Sequence, residues 1–205
     1  YEFHGIFSEL HQFCNSDLSA FYFEIRKDTL YCDNPDATAR RACRTVMDEV
    51  FNKLTAWLAP ILCFTAEEAW QSRHVDINQS VHLRSYDPVP ADWHNDDIAA
   101  KWAQIRKARQ VVMSALETAR NDGKIGASLQ ATPMVYISAD MQAAFAGQDA
   151  ASLFITSSAT LSSDAAPDGA FRLDAIDDVA VVVAIADGEK CARCWKLTPE
   201  VTADV

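Results

Sequence analysis

Glycine is scarce, with only six residues in 205, and none of them belongs to a loop of the kind that cradles phosphate. A nucleotide site of the usual kinds is therefore not expected. Long apolar runs are also missing. Val179 to Ala186 and Trp57 to Phe64 fall far short of the ~20 residues needed to cross a bilayer, so no membrane span is expected. The chain has no initiator Met, and Tyr1, Glu2, Phe3 and His4 lack the basic start, apolar stretch and small-residue cleavage site of a secretory signal. Its start reads as an excision from a larger chain. His4, His11, His74, His82 and His94 stand apart from any nucleophile motif, and no catalytic residue is assigned.

Positive charge is in the minority, with 18 Lys and Arg against 29 Asp and Glu and a net charge of -11. That balance excludes a protein that simply coats nucleic acid, because phosphate binding rests largely on Lys and Arg. The average hides an asymmetry. Between Asp140 and Glu189, Arg172 is the one basic residue among nine acids, whereas Lys101, Arg106, Lys107 and Arg109 fall in a stretch with no acid between Asp97 and Glu117. Basic surface is local.

What is present is core-forming material. A hydrophobic fraction of 49% supports one large soluble globular domain or two small ones. Cys14, Cys32, Cys43 and Cys63 sit in apolar, helix-like sequence and read as reduced, cytosolic core thiols. Ser16 is expected to cap a helix running to about Tyr31, and Asn34-Pro35 to open a second that ends near Pro60. Thr65 to Glu68 has the form of a capping box, with a short helix following through Trp70. Ser80 to Asp92 is turn-rich and reads as an extended linker. Asn95 is expected to cap a long helix to about Arg120, stopped by Gly123. From Pro133 the pattern changes, with Met134 to Ser138 expected as strand, Asp140 to Ala146 as helix, Leu153 to Thr156 as strand, Ser157 to Gly169 as loop, and Val179 to Ala186 as a buried strand. The expected fold class is mainly α. An antiparallel helical bundle over residues 1–130 is followed by a small α/β subdomain over 131–205 that ends in a truncated zinc knuckle.

Cys191-Ala192-Arg193-Cys194 follows the turn at Asp187-Gly188, where two thiolates can take adjacent corners of a zinc tetrahedron. Four ligands are normally required, and no Cys or His follows Cys194, so the site as given is half a site. A redox pair would be expected to open a helix, yet Pro199 follows closely and no helical pattern appears. An inert pair is the third reading. Two basic clusters are candidates for RNA contact: Arg40, Arg41 and Arg44 near the start of the second helix, and Lys101, Arg106, Lys107 and Arg109 on the long one. The competing reading is a solvated face, with Arg109 snorkelling from within the apolar stripe. Trp195 is a candidate for stacking on an unpaired base or, equally, for packing over the knuckle.

The run from Asn15 to Tyr31, NSDLSAFYFEIRKDTLY, resembles the N-D-L-S-x-F-Y...K-D-x-L-Y signature of the anticodon-binding domain in isoleucyl-tRNA synthetases. Trp57 to Trp70, WLAPILCFTAEEAW, resembles an L-A-P-x-x-x-F-x-x-E-E-x-W element shared with the valyl and leucyl enzymes. Ser80 to Leu83, the residues from Arg109 to Leu129 and the run Lys190 to Trp195, KCARCW, narrow the likeness to the bacterial isoleucyl enzymes. The resemblance implies an anticodon-binding portion of a class I synthetase that charges tRNA(Ile) with isoleucine using ATP. Its catalytic and editing domains would lie before Tyr1. It further implies a cytoplasmic, monomeric parent and a zinc site completed by a second C-x-x-C downstream, which is the feature this sequence lacks. The alternatives are a valyl or leucyl synthetase fragment, or a non-catalytic helical protein-interaction module.

Overall fold

The computed structural model describes residues 2–74, 76 and 78–201. The fold is largely helical with a small mixed sheet, and its internal packing separates two compact units: Tyr1–Arg26 with Asn95–Val205, and Lys27–His94. Among the described residues, no helix is long and apolar enough to cross a membrane.

The first unit is organised by a 26-residue helix, α5 (Asp96–Asn121). Asn95 Oδ1 accepts from the Ile98 N–H at 2.9 Å, and Asp96 and Asp97 place negative charge in the first turn, where the helix dipole favours it. The helix ends where Gly123 takes φ +72. Its N–H reaches the Arg120 carbonyl at 3.0 Å while that of Lys124 reaches Ala119 at 2.9 Å, a Schellman closure that a Cβ would strain. Ile105, Ala108, Val112, Ala115, Leu116 and Ala119 form its buried stripe at helical spacing.

That stripe packs on a four-stranded sheet ordered β2-β1-β4-β3, made of β1 (Ala131–Ile137), β2 (Thr160–Ser162), β3 (Phe171–Leu173) and β4 (Ile176–Ile185). β1 runs antiparallel to β4, pairing Val135 with Val181 and Ile137 with Val179. All four are buried, so the two-residue side-chain period fixes the register. β1 and β2 are parallel, which requires a crossover; it carries α6 (Ala139–Ala144) and α7 (Ala150–Phe154). A short hairpin of β5 (Glu189–Lys190) and β6 (Leu197–Thr198) follows.

Several local expectations are corrected. Leu153 and Phe154 belong to helix α7, not to a strand. The Asp149 carboxylate caps the Ala151 N–H at 3.0 Å, and Ile155 closes the turn at φ 58. Ser16 caps nothing: it lies inside a π-helical stretch, Phe13–Phe23, continuous with α1 (Phe3–Gln12) before it and α2 (Glu24–Tyr31) after it. The stretch from Ser157 to Gly169 is not all loop, since it contains β2.

In the second unit, Asn34 forms a turn with Asp36 and α3 (Thr38–Leu58) begins only after Ala37. α4 (Cys63–Gln71) starts before the expected capping box, and Thr65 lies inside it. Glu67 instead holds the following segment: its carboxylate accepts from the Val81 N–H at 2.8 Å, from Ser80 Oγ at 3.0 Å and from Gln71 Nε2 at 2.6 Å. Val81 is thereby delivered into a small core with Ala59, Ala66 and Trp70, against which Phe51 packs. The Ser80 to Asp92 segment is largely exposed and turn-bearing, as the linker reading expects, but it is anchored at Ser80, Val81 and Arg84. It carries short 3-10 turns at Val81–Leu83 and Ala91–Trp93, and Arg84 donates to the Asn52 carbonyl at 2.8 Å.

Candidate nucleic-acid interface

Arg40, Arg41 and Arg44 lie in the first two turns of α3, where a spacing of four puts Arg40 and Arg44 on one side. All three line an open cleft of about 770 Å3 in the second unit, together with Tyr31, Asp48, Phe51 and Arg73. The cleft thus carries four guanidinium groups against one carboxylate in a chain of net charge -11. Arg40 is held in place by donating to the Asp33 carbonyl at 2.7 Å, and its buried Nε has no partner among the described residues. Arg41 and Arg44 are exposed. Arg73 pairs with Asp48 at 2.5 Å and lies 5.2 Å over the Phe51 ring. Sequence reasoning missed Arg73 and Tyr31. Neither sits in a cluster, and only folding brings them to the arginines of α3.

The α5 cations are differently placed, and each is engaged within the first unit. Lys101 donates to the Ala146 carbonyl at 3.3 Å, and Lys107 pairs with Asp178 at 2.7 Å. Arg106 forms an ion pair with Asp17 and sits 4.9 Å over the Phe21 ring. Arg109 donates to the Leu153 carbonyl at 2.9 Å and to that of Ala20 at 3.3 Å, and lies 5.1 Å over the same ring. Burial and the charge of Arg106 lower the Arg109 pKa, with Glu24 opposing, though a guanidinium stays charged under these conditions. These contacts tie the π-helical stretch, α7 and β4 to α5.

The C-x-x-C forms the tip of the β5–β6 hairpin. The Cys191 N–H donates to the Lys196 carbonyl and that of Trp195 to the Cys191 carbonyl, both at 2.9 Å. Trp195 adopts φ 66. At the other end of the hairpin Gly188 has φ +100, and a Cβ there would stand 2.2 Å from the Thr198 carbonyl carbon, so only glycine fits. The backbone N–H groups of Cys194 and Arg193, with the Cys194 side chain, hold the Cys191 thiol below its usual pKa against the opposing effect of burial. Amides converging on a sulfur stabilise thiolate, the form that binds metal. The residues present suit two corners of a zinc site, yet no group of three metal-binding side chains occurs among the described residues. Trp195 is 60% exposed, with Lys190 Nζ 4.9 Å from its ring centroid.

Residues 1–135 match the family described as the anticodon-binding domain of tRNA ligase, and the chain belongs to that family. Its relatives narrow the class. The chain is 48% identical over 205 residues to the isoleucine–tRNA ligase of Agrobacterium fabrum, covering 100% of this chain and 21% of that protein. It is 50% identical over 202 residues to that of Ruegeria pomeroyi, covering 98% and 21%. For the Caulobacter vibrioides ligase the figures are 47% over 205 residues, 100% and 21%. The chain therefore spans about a fifth of the length of the curated relatives it matches.

Proposed function

We propose that this chain is the tRNA-docking portion of an isoleucine–tRNA ligase, seating the anticodon stem and loop so that the acceptor end reaches a distant active site. The observation that carries the reading is the anticodon-binding family match over residues 1–135 joined to similarity, along the whole of this chain, with about a fifth of an isoleucine–tRNA ligase. The parent enzyme charges tRNA(Ile) with isoleucine using ATP, in catalytic and editing domains elsewhere in a longer chain, and works as a cytoplasmic monomer. The helical residues 1–130 supply the docking surfaces, and residues 131–205 the α/β part with the knuckle.

Arg40, Arg41 and Arg44 are the first phosphate contacts, since their cleft concentrates positive charge in an acidic chain. Lys101, Arg106, Lys107 and Arg109 contribute to a second contact while bracing α5, and Trp195 offers an exposed ring for stacking. Cys191 and Cys194 take two corners of a tetrahedral zinc site whose other donors come from outside this sequence; when bound, the metal would cross-link the hairpin. The chain's own role is orientation and identity, with no bond making. Hydroxyl-radical footprinting of an isoleucine tRNA transcript bound to the chain tests this. Protection confined to the anticodon stem and loop is expected, whereas protection of the acceptor stem alone, or none, would refute the reading.

A further inference from the structure

The cleft at the end of α2 holds more than charge. Two aromatic rings line it, and they differ in exposure. Phe51 is covered by Arg73 at 5.2 Å and stacks with Trp70 at 6.4 Å, so its ring is spent on the small core of the second unit. Tyr31, the last residue of α2, is 76% exposed while lining the same cleft as the arginines. An exposed aromatic beside unspent guanidinium donors is the combination that single-stranded RNA sites use, with the donors tracking phosphate and the ring taking a base.

Three further observations favour a small anionic occupant with a flat part. The arginines are graded: Arg40 is fixed by the Asp33 carbonyl with its Nε left without a partner among the described residues, while Arg41 and Arg44 are exposed. A fixed donor flanked by two adaptable ones suits a phosphodiester approached from solvent. The one carboxylate in the cleft, Asp48, is neutralised by Arg73 at 2.5 Å and does not oppose an anion. The cleft volume, about 770 Å3, falls within the roughly 300–1,000 Å3 of small-ligand sites.

We propose that this cleft seats one unpaired ribonucleotide, its phosphate held by Arg40, Arg41 and Arg44 and its base laid on the ring of Tyr31. The inference rests on the RNA-docking reading and deepens it. A duplex offers phosphates but no free base face, so the seat selects a loop nucleotide over a paired one.

The test is a binding titration of the whole chain with two probes: the isoleucine tRNA anticodon stem-loop, and a blunt RNA duplex of equal length. Wild type, Tyr31→Ala, Tyr31→Phe and Arg44→Ala are compared, with thermal unfolding recorded for each. Tyr31→Ala is expected to weaken stem-loop binding about tenfold, within the range of one lost base stack, and to leave duplex binding and the salt slope unchanged. Tyr31→Phe keeps the ring and should bind as wild type. Arg44→Ala should lower the salt slope by about one unit on both probes. The seat is overturned, with RNA docking intact, if wild type binds the stem-loop and Tyr31→Ala binds it equally well. It is also overturned if Tyr31→Phe loses as much as Tyr31→Ala, or if the Tyr31→Ala loss is equal on both probes. Absence of binding by wild type would remove the seat and the docking reading together.

Discussion

The Ser157 hydroxyl accepts a hydrogen bond from the Leu197 N–H at 2.7 Å while donating to the Leu129 carbonyl. One side chain thus ties the β5–β6 hairpin to the segment that enters the sheet, and the position of the C-x-x-C tip depends on it. Ser157→Ala removes both bonds and leaves two backbone groups unsatisfied. Each such bond is worth about 1 kcal/mol, so exchange of the Leu197 amide should accelerate about fivefold while the α5 amides keep their protection. Unchanged exchange at Leu197 would mean that the hairpin is held by other contacts.

Gly188 and Gly147 form a matched pair for testing close approach. Both have positive φ, +100 and +74, but a Cβ at Gly147 meets nothing within 4 Å, whereas at Gly188 it would meet the Thr198 carbonyl carbon at 2.2 Å. Gly147→Ala should cost only backbone strain, about 1–2 kcal/mol. Gly188→Ala should in addition displace β6 and change the emission of Trp195, read by fluorescence. Equal effects from the two substitutions would show that the hairpin yields.

Glu67 gives a pH signature. Burial raises its pKa, but the hydrogen bonds from the Val81 N–H, Ser80 and Gln71, with the charge of His82, outweigh it and hold the carboxyl below its ordinary value. A lowered folded pKa contributes stability that is fully present above the ordinary glutamate value and is lost as pH falls through the lower folded value. Thermal unfolding of wild type should therefore decline across that acid window. Glu67→Gln should be less stable near neutrality and flatter through the window; parallel curves would contradict the role given to this carboxylate.

The two basic groups should separate by salt dependence. Arg41 and Arg44 are exposed and form no ion pair with a described residue. Replacing both with Ala should lower the slope of log affinity against log salt by about two units and change stability by less than about 0.5 kcal/mol. Lys107 shares its ammonium with Asp178 at 2.7 Å, so Lys107→Ala should give the smaller loss of binding. A larger loss for Lys107 would move the main contact to α5.

Much of the α5 region was legible because its signals are local. Asn95 as cap, the apolar stripe, Gly123 as stop and the strand character of the β4 run each act within a few residues, and Arg109 does emerge from the stripe onto backbone carbonyls. Only Val179 to Val181 of that run are buried in the strand, however, while Val182 and Ile185 are exposed. The failures came where a local signal met a stronger tertiary one. Thr65 and Glu68 have the spacing of a capping box, but α4 already begins at Cys63, and the neighbouring Glu67 is claimed by Val81 and Ser80. Leu153 to Thr156 is too short an apolar run to distinguish strand from helix, and the Asp149 cap decides it. The π-helical stretch has no composition of its own to announce it. For the candidate site, the arginines of α3 and the C-x-x-C were readable as clusters, whereas Tyr31, Arg73 and Ser157 gain meaning only from what folding sets beside them.

The most direct test of RNA docking is a titration of the chain with the isoleucine tRNA anticodon stem-loop and a valine stem-loop as control, repeated at rising salt. We expect tighter binding of the isoleucine stem-loop and an affinity that falls steeply with ionic strength, as released counterions require. Equal binding of the two, or an affinity indifferent to salt, would contradict the account.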